Sequence, residues 1–89
     1  MMYEYLTLDD NTFIAHSNMR EDGTVKVYIE KPVEGGFKDV TCYLPGYIWE
    51  ENHGFSAEEL ESFEKIVENN AHLIMEFSQK GGFTNASGY

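Results

Sequence analysis

The chain has one cysteine, Cys42, in 89 residues. A lone thiol excludes an intramolecular disulfide and points to a reducing, cytoplasmic setting. Basic residues are scarce: six Lys and Arg stand against sixteen Asp and Glu, a formal net charge of −10. Such a chain repels a bare phosphate backbone and an anionic lipid surface, so direct nucleic-acid binding and membrane-surface binding are both set aside. No apolar run is long enough for a membrane-spanning helix. The opening MMYEYLTLDD lacks the basic-then-apolar order of a signal peptide. Phosphate-cradling glycine motifs are missing, and Asp9-Asp10-Asn11 and Asp22-Gly23 do not follow the calcium-loop pattern.

What is present is a folded-protein composition, 42% hydrophobic and 15% aromatic, in a chain long enough for one modest core. The stretch from Ser56 to Ser78 organises it. Ser56 is placed as an N-cap with Glu59 three residues on, a capping box, and Phe55 and Leu60 are spaced as a hydrophobic staple. Leu60, Phe63, Val67, Ala71, Ile74 and Phe77, widened by Ile66 and Leu73, recur at helical spacing. Asn69-Asn70 weakens the middle and invites a bend, and Gly81-Gly82 is read as the stop.

Upstream the pattern is that of strands. Met2–Leu8 and Thr12–Met19 are the first two, with Asp-Gly at 22–23 as a hairpin signal. Thr24–Lys31 alternates most clearly: Val25, Val27 and Ile29 on one face, Lys26, Tyr28 and Glu30 on the other, with Pro32 as its end. After a Gly35-Gly36 turn, Phe37–Leu44 places Val40, Cys42 and Leu44 opposite Thr41 and Tyr43. Pro45-Gly46 closes it, and residues 47–55 are read as an aromatic loop into the helix, with Tyr47, Ile48 and Trp49 packing over one end of the sheet or under the helix start. The expected fold is therefore α+β: a four-stranded antiparallel β-meander with one long C-terminal helix packed on one face. Residues 1–80 form the domain and 81–89 a tail. The expected core is Val25, Val27, Ile29, Val40, Cys42, Leu44, Leu60, Phe63, Val67, Ile74 and Phe77.

Candidate chemistry is thin. His16, Cys42, His53 and His72 include no pair at metal-ligand spacing, so no metal or other cofactor is assigned, and Cys42 reads as a small buried hydrophobe. Cys42, His16 and Asp39 form a loose nucleophile set, but regular alternation puts Cys42 and Asp39 on opposite faces of one strand. The chain is read as a non-enzyme.

Two surface features stand out. Glu58, Glu61, Glu64 and Glu68 on the helix, with Glu50 and Glu51 before it, form an acidic strip that is either a solvated face or a match for basic residues on a partner. On the sheet face away from the helix, Tyr28 and Tyr43, joined in one register by Tyr3 and Tyr5, form an aromatic surface. Leu44-Pro45-Gly46-Tyr47 followed by Ser56-Ala57-Glu58-Glu59-Leu60 resembles HicB-type antitoxins over residues 24–70. Tyr43 stands where an acidic residue is usual, Leu60 where a small one is, and no DNA-binding segment is expected after the helix, so no function is carried across. The leading expectation is a small acidic regulatory protein, of inhibitor or antitoxin-like type, for a basic nucleic-acid-handling partner. Its acidic strip steers, and Tyr43, Tyr47 and Trp49 anchor. The alternative is a sheet module taking a peptide or small ligand on the tyrosine face. That face and the sheet edges also allow a symmetric homodimer.

Overall fold

The computed structural model describes residues 2–80. It is α+β, with five strands rather than four: β1 (Met2–Thr7), β2 (Phe13–Ser17), β3 (Val25–Val33), β4 (Gly36–Leu44) and β5 (Ile48–His53), followed by α1 (Ala57–Gln79). The strands are all antiparallel and lie in sequence order, β1-β2-β3-β4-β5. Short connections force each strand beside its predecessor, so the meander follows directly.

The additional strand is the segment read as an aromatic loop. β5 pairs with β4 through Tyr43↔Ile48, Cys42↔Trp49 and Thr41↔Glu50, then shifts register before Asp39↔His53. Glu51, at φ 53°, sits in that shift. A bulge there breaks the period of two, and Glu-Glu-Asn has little strand preference of its own. β4 supplies the backbone partners that propensity does not.

β3 also runs on through Pro32, which pairs with Phe37. The β2 partner ladder has already ended at Phe13↔Glu30, so the missing proline N–H faces no neighbouring strand. The hairpin turn is accordingly Glu34-Gly35, and Gly36 opens β4. Gly35 takes φ +86°, which a side chain would strain.

The core is one layer between sheet and helix. Ile14, Val25, Val27, Ile29, Val40, Cys42 and Leu44 from the strands meet Phe55, Phe63, Val67 and Ile74, all buried. Leu60 and Phe77 are half-buried rather than core, each at the margin of the helix stripe. Tyr5 also lies on this covered side. Its hydroxyl donates to Asn70 Oδ1 at 2.7 Å and its ring meets Phe77 at 6.3 Å. Tyr3 pairs with His16 on the same side. Neither therefore joins Tyr28 and Tyr43.

The helix start is as the sequence reads. Glu59 N–H donates to Ser56 Oγ at 3.1 Å and Ser56 N–H to Glu59 Oε1 at 2.9 Å. The chain enters this cap through Asn52, whose side chain exchanges two hydrogen bonds with the Phe55 backbone. The helix continues through Asn69-Asn70, because Asn70 turns its side chain to work: it donates to Ile66 O and accepts from Tyr5. At the far end Met19 N–H donates to Ser78 O, fastening the β2–β3 connection to the helix. No helix among the described residues is long and apolar enough to cross a membrane. The expected tail, with Gly81-Gly82, lies outside the described residues.

Candidate functional site

Alternation along β3 and β4 sends one set of side chains under α1 and the other to a face that no element among the described residues covers. Tyr28, opposite Thr41, and Tyr43, opposite Lys26, are on the open face. So is Glu50, opposite Thr41 on the other side. Trp49 is not. It pairs with Cys42, packs against the core, and donates its indole N–H to Glu64 Oε1 at 3.1 Å. Tyr47 packs against the same core margin. Burial, with Glu68, Cys42 and Glu64 nearby, raises its phenol above the ordinary range.

The predicted residues thus fall into two groups. Tyr28, Tyr43 and Glu50 share the open face. Tyr47 and Trp49 face Glu64 and Glu68 beneath the rim of α1. Glu58, Glu61 and Glu68 are exposed on the helix, Glu64 is half-buried by its bond to Trp49, and Glu51 is exposed at the β5 bulge.

The open face has its own electrostatics. Glu30 lies directly across from Asp39, and like charges so placed repel. Two groups relieve them. Tyr28 donates its hydroxyl to Glu30 Oε1 at 2.7 Å, with Asp39 Oδ2 at 3.5 Å. His53 Nδ1 meets Asp39 Oδ1 at 2.7 Å. Burial, the Glu30 hydrogen bond and the Asp39 charge hold the Tyr28 phenol protonated well above its usual range. Beneath this network Ala15 and Thr41 are buried although no helix among the described residues covers them. Arg20 lies over the Tyr43 ring at 5.3 Å.

On the covered side, His16, Val27 and Cys42 are successive cross-strand neighbours. Val27 thus separates imidazole from thiol by two strand spacings, roughly 10 Å. Burial, with Glu64 secondary, pushes the Cys42 thiol up to about 12, where it is no nucleophile at neutral pH. His53 is on the open face and His72 is exposed on the helix. No group of three or more His, Cys, Asp or Glu that could hold a metal occurs among the described residues.

Two open-face residues differ from the sequence reading: Phe37 has no surface role there, and Ile48, expected to pack over one end of the sheet or under the helix start, lies exposed opposite Tyr43. Phe37 is 63% exposed and Ile48 56%. Phe37 was legible by parity, since it shares its face with Thr41 and Tyr43. Ile48 needed β5 to be recognised as a strand. Compared with protein-family models, curated proteins and solved structures, the chain matches none.

Proposed function

We propose that this is a small acidic protein-binding regulator of inhibitor type, without catalytic activity, that works in the cytoplasm on a protein partner with a basic surface such as a nucleic-acid-handling protein. The observation that carries the reading is the pairing of uncompensated charge with exposed apolar anchors. The chain has a net charge of −10. Glu50, Glu51, Glu58, Glu61 and Glu68 are exposed and enter none of the described ion pairs. Phe37 and Ile48 are exposed on the open face of the sheet, which also carries Glu50. Long-range charge of one sign accelerates encounter with an oppositely charged partner, and apolar anchors hold it. The non-catalytic half of the reading rests on the raised Cys42 thiol and its separation from His16.

The test is capture of partners from the native host on the immobilised chain at low salt, with elution by a salt gradient. The expected result is a basic protein that elutes early in the gradient, because screening weakens exposed charges beyond about 10 Å at 0.1 M salt. A captured set that ignores salt and contains no basic protein would overturn the reading. It would favour instead a peptide or small-ligand module whose charge serves solubility alone.

A further inference from the structure

Two surfaces compete as the contact surface for such a partner: the outer face of α1 and the open face of the sheet. The helix offers charge without large apolar side chains in reach. The exposed large hydrophobics among the described residues are Met2, Val33, Phe37 and Ile48, and none is on α1. Charge steers approach, but affinity concentrates in buried apolar and aromatic anchors. The open face has both. Phe37, Asp39, Thr41 and Tyr43 are alternate residues of β4, and Ile48 pairs with Tyr43. Phe37 and Ile48 therefore bracket the face, roughly 20 Å apart at about 3.4 Å per residue. Between them lie Glu30, Asp39 and Glu50.

Charge also decides the occupant. A second copy seated face to face would set Glu30, Asp39 and Glu50 near their own kind, between two chains each at −10. Lateral pairing of sheets is blunted as well. Both edge strands carry a register shift, in β1 between Glu4 and Leu6 and in β5 around Glu51, and such irregularities discourage edge-to-edge addition. A cationic surface meets the opposite situation, since the strand positions of this face offer it four carboxylates, Glu4, Glu30, Asp39 and Glu50, against Lys26, with His53 on Asp39 and Arg20 at the margin over Tyr43.

We propose that the open face of the sheet is the contact surface, and that its occupant is a protein segment bearing Lys or Arg beside aliphatic or aromatic side chains. The apolar side chains seat against Phe37 and Ile48, and the cation against Glu30, Asp39 and Glu50. This rests on the partner-binding reading above and adds where the partner sits.

The experiment titrates the ¹⁵N-labelled full chain with a synthetic peptide of alternating Lys and Leu at low salt. A Glu/Leu peptide is the control, and amide shifts are the readout. Saturable shifts are expected in residues 37–43 and 48–50 with the Lys/Leu peptide only. The Phe37→Ser/Ile48→Ser variant should bind at least about tenfold more weakly. Both side chains are exposed, so that variant keeps its fold, which unchanged dispersion elsewhere in its spectrum verifies. Shifts confined to residues 58–68 would overturn this proposal while leaving the partner-binding reading in place. No saturable shift with the Lys/Leu peptide would overturn it too. So would concentration-dependent shifts of the open face in the peptide-free protein, which assign the face to a second copy.

Discussion

One alternation builds both faces of this sheet, and they have little else in common. Under α1, Val27 has His16 and Cys42 as cross-strand neighbours, and Ile29 has Ile14 and Val40. All six are at most 1% exposed. On the other side, Tyr28 has Ala15 and Thr41, and Glu30 has Phe13 and Asp39. There, polar groups are matched in pairs rather than excluded. The covered face draws its stability from area removed from water, which is non-directional. The open face depends on individual hydrogen bonds, each worth about 1 kcal/mol net. The covered face therefore has little latitude, whereas the open face can change its side chains without losing the fold.

The sharpest way to break this contrast is a matched pair of truncations. Ile29→Ala should cost about 3 kcal/mol, the usual range for a fully buried aliphatic, while Tyr43→Ala on the open face should cost about 1 kcal/mol. Urea denaturation of the two variants checks it, and equal costs would mean that the faces are not energetically distinct. Next in size is the boundary between them. Glu64→Ala strands the half-buried Trp49 indole N–H and should destabilise by about 1–2 kcal/mol. Glu64→Gln keeps an acceptor and should recover most of that. If Glu64 were only one more surface acid, both variants would instead be slightly more stable through relief of repulsion.

Ser56→Ala removes the cap that launches the covering helix and should cost about 1 kcal/mol in the same assay. The smallest effect is a pH dependence. Burial, the Glu30 hydrogen bond and Asp39 raise the folded-state Tyr28 phenol, whereas the unfolded chain ionises near the ordinary value of about 10. The resulting stabilisation is whole below that pH and is lost as pH climbs from it toward the higher folded value. Melting temperature should therefore fall above about pH 10, and Tyr28→Phe should make the fall shallower. Tyr5 and Tyr47, also raised by burial, leave a residual slope. An unchanged slope would show that Tyr28 is not held as the geometry says.

The covered face was the more legible of the two. Val25, Val27 and Ile29 alternate cleanly with polar residues, and the capping box at Ser56 is a local signal that needs no tertiary help. β5 was not legible, because its bulge at Glu51 removes the period and its pairing is supplied by β4. That single omission hid the placement of Trp49. As a loop residue it can pack over one end of the sheet or under the helix start and still be named an anchor, but as the strand neighbour of Cys42 it must face the helix. Tyr3 and Tyr5 were ambiguous for a related reason: β1 shifts register between Glu4 and Leu6, so parity alone cannot assign them. The acids of the helix were plain in the sequence, whereas the engagement of Glu64 with Trp49 depends on a contact between residues 15 apart.

The measurement that bears most directly on the central claim is hydroxyl-radical footprinting of the full chain, free and in complex with the basic partner captured at low salt. The account predicts that oxidation of Phe37, Tyr43 and Ile48 drops on binding while His72 and Met75 on α1 react as before. Protection of the helix residues with Phe37 and Ile48 unchanged would contradict it, and would return the role of contact surface to the acidic face of α1.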